Sequence, residues 1–131
     1  MRHERILLIL ILGELVLIVL GAIAEPALEP AAAPSQISTP VLTALWAAVV
    51  AGTLLSWIGL LYLLREARGL YLGSWVAYLV LNFLRGPVVE TPLGSVIRML
   101  MTLVGGGILG LIYFSELRTK FRPLAQVARS D

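Results

Sequence analysis

LTALWAAVVAGTLLSWIGLLYLL, REAR and GLYLGSWVAYLVLNFL follow one another without a break over residues 42–64, 65–68 and 69–84. Neither Leu42–Leu64 nor Gly69–Leu84 contains a charged residue. A helix needs about 20 apolar residues to cross a hydrocarbon core of roughly 30 Å. Lipid offers no hydrogen-bond partner to the backbone, so an apolar run that enters it must close its own N–H and C=O groups as a helix. The link Arg65-Glu66-Ala67-Arg68 is a tetrapeptide, which predicts an antiparallel helical hairpin. At helical rise the first run covers about 34 Å and the second only about 24 Å. The flanks of the second run, or a locally thinned bilayer, must supply the rest. Neither run alternates with period two, which excludes a transmembrane β-barrel strand pattern.

Two more runs flank the hairpin. Ile6–Ala24 has a single charge, Glu14, and Leu93–Ser115 has a single charge, Arg98. The four runs together make up well over half of the chain. The whole chain is 59% hydrophobic and 14% charged, with a mean hydropathy of +0.93. Soluble domains are nearer one-quarter charged, so a water-soluble surface is excluded. The expected architecture is all-α: a polytopic four-helix bundle in one membrane domain. Its helices are expected at about 6–24, 42–64, 69–85 and 93–115, with a Pro-rich outer loop at 25–41 and a basic tail at 116–131.

The first run begins at Met1-Arg2-His3-Glu4-Arg5 and ends in Ala22-Ile23-Ala24, a pattern shared with secretory signal peptides. Its apolar region is longer than the usual ~7–15 residues and carries Glu14. It is therefore read as a retained span.

Lys and Arg set the orientation. Arg2, Arg5, Arg65, Arg68, Arg118, Lys120, Arg122 and Arg129 fall on one side of a four-span path, and Arg85 and Arg98 on the other. Eight against two places both termini in the cytoplasm of a cell with an inner membrane. The outer connection 25–40 carries Pro26, Pro30, Pro34 and Pro40, a spacing that favours extended chain. Arg85-Gly86-Pro87 ends the third helix, because proline disfavours helical geometry in the residue before it. In the tail, Leu117, Phe121 and Leu124 recur at spacings of four and three, opposite basic residues. The functional reading is contact with anionic lipid. The plainer reading is the ordinary positive cytoplasmic end of a last span.

Polar groups inside the runs are the candidate sites. Glu14 lies near the middle of its run. An acid there costs about 2.5–3.5 kcal/mol, so it should face protein or water. By helical geometry Leu10, Gly13, Glu14, Leu17, Gly21 and Ala24 share an arc of about 100°, which predicts a packing face through Gly13 and Gly21. Arg98 is the natural partner, although its backbone lies about 9 Å from that of Glu14 along the normal. The alternative has Arg98 and Arg85 reaching outer headgroups, with Glu14 bonded to Ser56, Tyr78 or Asn82. On the fourth helix Thr102, Gly106 and Gly110 form a small-residue stripe, and Ala48, Gly52 and Ser56 form another on the second. Such stripes let helix backbones approach closely.

Several chemistries have no support in the residues. There is no cysteine, and the single histidine is His3. That excludes thiolate sites, a His-rich metal cluster and a Ser/His/Asp triad. No second acid sits at membrane depth for a carboxylate pair. Gly105-Gly106-Gly107 lacks the Lys-Ser/Thr of a phosphate loop. A net charge of +2 is no phosphate-tracking footprint. No enzyme activity, cofactor, metal or nucleic acid is expected.

Residues 60–122 resemble a group of small bacterial membrane proteins of unassigned activity. The likeness rests on Arg65-Glu66-Ala67-Arg68, on Gly86-Pro87-Val88-Val89-Glu90-Thr91, and on Ile112-Tyr113-Phe114-Ser115-Glu116-Leu117-Arg118-Thr119-Lys120-Phe121. It implies four helices and a bacterial inner membrane. The small multidrug resistance transporters are a second comparison, through four short helices and a glutamate in the first, here Glu14. The long Pro-rich first loop and the ending Leu84-Arg85-Gly86-Pro87 depart from their pattern. The expected function is a non-enzymatic accessory, scaffold or assembly component. It would associate with lipids and with other membrane subunits or its own copies through small-residue faces. The alternative is a small proton- or cation-coupled transporter or channel using Glu14.

Overall fold

The computed structural model describes residues 2–24, 39–85 and 92–123. The described chain is all-α: α1 (Arg2–Ala24), α2 (Thr39–Leu61), α3 (Arg65–Arg85) and α4 (Pro92–Phe114), followed by a short 3₁₀ turn, Glu116–Lys120. The expected loop 25–41 and the outer connection lie largely outside the described residues. Two helices carry a proline at their start, Pro40 in α2 and Pro92 in α4. Proline suits the first turn because the amide it lacks has no partner there. These starts extend the expected helices by one to three residues. α1, α2 and α4 are long and apolar enough to cross a membrane. α3 is not by that measure, because Arg65, Glu66 and Arg68 occupy its first turn.

The chain forms two compact units. In the first, α1 packs against α4. A Cβ built on Gly21 would meet Ile97 Cγ2 at 3.7 Å, and one on Gly107 would meet Leu10 Cδ1 at 3.5 Å. Rising numbers on one helix thus face falling numbers on the other, so the pair is antiparallel. Leu7, Ile11, Ile97, Ile108 and Ile112 are its buried apolar side chains within the helices.

In the second unit α2 packs against α3. The turn between them lies at residues 62–64, and Arg65–Arg68 forms the first turn of α3. This corrects the expected boundaries of 64 and 69. The cause is a tight helix end: Leu63 N–H donates to Leu60 O (3.0 Å) and Leu64 N–H to Gly59 O (2.8 Å). That bond pair is the Schellman ending, whose turning residue is left-handed. Leu63 holds that position with φ 53°, a conformation costly to a side chain with a Cβ. Arg, Glu and Ala are good helix formers, so the charged tetrapeptide continues as helix as soon as the turn closes.

Residues beyond the 3₁₀ turn fasten onto this helix end. Arg122 N–H donates to Leu63 O, and Arg65 N–H donates to Arg122 O, both at 2.9 Å. The two segments make a single parallel bridge, Leu64 to Arg122. Phe121 is buried, and the Arg68 guanidinium lies 5.2 Å from its ring centroid. Leu117 is also buried. The expected amphipathic tail therefore turns Leu117 and Phe121 inward; Leu124 lies outside the described residues.

Candidate functional site

Glu14 is 3% exposed, on a buried stripe with Leu7 and Ile11. That stripe is rotated by roughly 75° from the predicted arc. Gly13 lies off it, and a Cβ there would meet nothing within 4 Å among the described residues. Gly21 is at an ordinary contact distance from Ile97. Leu10, Glu14 and Gly21 of the predicted arc do meet α4 or lie buried, so the two faces overlap. The offset arises because α1 is apolar almost all round and two glycines were the main guide to its face. In the structure a carboxylate and two large aliphatic side chains fill the buried side.

The α1/α4 register (21 beside 97, 10 beside 107) brings Glu14 level with residues 103–104 of α4. Arg98 is half-buried and five to six residues away along that helix, about 8–9 Å in depth. Glu14 and Arg98 each take part in polar or charged interactions. Among the other membrane-depth candidates, Asn82 Nδ2 donates to Tyr78 O at 2.9 Å and Ser56 Oγ donates to Thr53 O at 2.6 Å. Both donate within their own helices. Arg85 is the last residue of α3.

The closest helix approach is in the second unit. A Cβ on Gly52 would stand 2.8 Å from Ser74 Oγ, and one on Gly59 would stand 2.6 Å from Ala67 Cβ. Ser56, between those glycines, is fully buried. Gly52, Ser56 and Gly59 follow at spacings of four and three, so they share one face of α2, opposite Ala67 and Ser74. Gly52 and Ser56 were legible in the sequence and Gly59 was missed; continuing the stripe by three residues would have found it. Ala48 lies on the exposed surface. Toward the other end of this hairpin, Trp46 and Trp75 each meet Tyr78 edge-on at 5.6 Å between ring centroids. Trp75 Nε1 donates to Tyr71 OH at 3.0 Å. Aromatic pairs of this geometry add about 0.5–1.5 kcal/mol beyond their burial.

The α4 stripe is different. Thr102 is exposed, its hydroxyl donating to Arg98 O at 3.0 Å. Cβ atoms on Gly106 and Gly110 would meet nothing within 4 Å among the described residues. The neighbouring glycines carry the contacts instead: Gly105 is buried and Gly107 meets Leu10. The small-residue stripe predicted for packing is thus not the face of α4 that α1 covers; Gly106 is exposed and Gly110 half-buried. Among the described residues no three His, Asp or Glu gather where they could hold a metal ion.

No family model, no curated protein and no solved structure matches this chain. The resemblances drawn above rest on the residues quoted for them.

Proposed function

We propose that this chain is a four-span, non-enzymatic accessory or assembly component of a bacterial inner membrane. It would offer the Thr102–Gly106–Gly110 face of α4 to a helix of another subunit or of a second copy. The observation that carries this reading is the contrast between two small-residue stripes. α3 closes the α2 stripe to within 2.8 Å or less of a built Cβ, whereas the glycines of the α4 stripe meet nothing within 4 Å among the described residues. An open small-residue stripe on a lipid-facing helix is a surface that a partner backbone can approach closely.

The opposite directions of α1 and α4 support a four-span reading. Two antiparallel spans must be separated by an even number of crossings. α2 is apolar enough to cross, and a crossing by α2 calls for a matching one by α3. Its 21 residues give about 31 Å, against a hydrocarbon core of roughly 30 Å. Its charged residues fall at the two ends of the helix in sequence. Basic residues, eight to two, favour cytoplasmic termini.

Native mass spectrometry after mild extraction tests the function. A stoichiometric assembly is expected from the parent chain and is expected to dissociate in Gly106→Leu/Gly110→Leu. A parent that is monomeric, or a double variant that assembles equally well, would overturn the proposal.

One observation favours a second reading: Glu14 is a buried carboxylate halfway along an apolar helix. Intramembrane acids commonly mark ion pathways. In that case Glu14→Gln abolishes cation or proton flux in vesicles; under the accessory reading it leaves vesicle permeability unchanged.

A further inference from the structure

The strap that fastens to the α2–α3 turn does more than bury Phe121. In the sequence, most of α3 and the whole of α4 separate Arg65 and Arg68 from Lys120 and Arg122. The backbone bonds of Arg122 to Leu63 and Arg65 bring these segments side by side. Paired strands lie about 4.8 Å apart, less than the length of an arginine side chain. Arg68 is held over the Phe121 ring, which is one residue from each of the strap's two cations. Four cations and one acid, Glu66, therefore meet at one helix end. Arg65, Lys120 and Arg122 are exposed, and Arg68 is half-buried.

This gathering works against the fold. Glu66, Arg68 and Lys120 already take part in interactions of their own, but the net charge of the group is positive and it sits at the positive end of the α3 dipole. Arg65 N–H is taken by Arg122 O, and Leu64, in the N-cap position, offers no side-chain acceptor to the next two amides. An anion reverses each of these penalties at once. The place of the patch says which anion reaches it. It lies directly beyond the end of α2, an apolar helix long enough to cross the membrane, where Tyr62 is 75% exposed. Tyrosine settles at headgroup depth, so the patch lies at the level of lipid phosphates.

We propose that Arg65, Arg68, Lys120 and Arg122 form a binding site for the phosphate of an anionic lipid headgroup, and that the Phe121 strap builds this site. Its recognition is of a phosphodiester with net negative charge. A zwitterionic headgroup carries its own cation and is excluded by the patch's net positive charge. The proposal depends on the membrane span of α2 and is independent of any partner at α4.

The test is native mass spectrometry of the full chain in detergent, titrated separately with phosphatidylglycerol, phosphatidylcholine and inorganic phosphate. The parent chain is expected to retain one phosphatidylglycerol at least tenfold more than phosphatidylcholine. Arg65→Gln/Arg122→Gln should lose that preference. Phe121→Ala keeps all four cations but frees the strap, and should lose at least half of it. Arg2→Gln/Arg5→Gln removes equal charge elsewhere and should leave it intact. Equal retention of the two lipids would overturn the proposal, as would an equal loss in the Arg2/Arg5 variant, which indicates diffuse charge attraction. Unchanged binding in Phe121→Ala would refute the role of the strap. Competition by millimolar inorganic phosphate would show a free-phosphate site and overturn the lipid assignment. Circular dichroism of each variant separates lost binding from lost folding.

Discussion

Replacing Gly59 by alanine puts the reading of the α2–α3 seam to a direct test. The added methyl would stand 2.6 Å from Ala67 Cβ and 3.7 Å from its Cα. Carbon atoms in good contact are about 3.5–4.0 Å apart, so the helices must separate by roughly 1 Å at this level. Neither atom belongs to a flexible side chain that could swing aside. Overpacking of this kind costs about 1–3 kcal/mol. Alanine regains about 0.5–1 kcal/mol of helix propensity over glycine. A net loss of about 1–2 kcal/mol is expected, a five- to thirtyfold shift toward the unfolded state. Ala67→Gly in the same chain moves the methyl across the seam and should restore most of the loss, a coupling of about 1–2 kcal/mol. The three tryptophans, Trp46, Trp57 and Trp75, all lie in this hairpin. Their fluorescence during titration of the purified protein with sodium dodecyl sulfate therefore reports on it alone. A Gly59→Ala chain as stable as its parent, or one that Ala67→Gly fails to rescue, would refute the close seam. Gly106→Ala, which adds its methyl to open space, is the matched control and should not destabilise.

Leu63 turns the chain at φ 53°. Leu63→Gly should therefore gain up to about 1–2 kcal/mol, while Leu63→Val, whose β-branch fits this φ still less well, should be less stable than the parent in the same titration. Phe121→Ala should release the strap without unfolding the helices: hydrogen exchange at the Arg65 amide, bonded to Arg122 O in the parent, should quicken at least tenfold, and equal protection would show that the strap holds without its ring. For topology, a cysteine at Ala32 should react with an impermeant reagent from outside and one at Glu66 only from inside; the reverse would break the charge argument. Ala67, in the same connection by sequence, is a poor reporter because it is buried against Gly59.

The number of helices and the middle of each were legible in the sequence. Four apolar runs, parted by prolines or charges, leave the backbone no other way to pair its amides in lipid. The ends were less legible. Arg65–Arg68 has the composition of a link, yet it is helix, because the turn is decided by two backbone bonds at Gly59 and Leu60 and by a left-handed Leu63. Nothing in a leucine announces that conformation; a glycine there would have.

Which face each helix buries was the least legible property. Gly52 and Ser56 were placed on a seam that the structure closes, while Gly13, Gly106 and Gly110 lie on faces left open among the described residues. A helix bound for lipid is apolar on every side, so the polar-to-apolar contrast that marks the inner face of a soluble helix is missing. Glycine shows where a close approach is allowed and not where one occurs. Chain composition alone determined that this protein is helical and belongs to a membrane. The pairing of α1 with α4 and α2 with α3, the strap on the turn and the open stripe of α4 were decided by shape fit between helices. That fit exists only once they are packed.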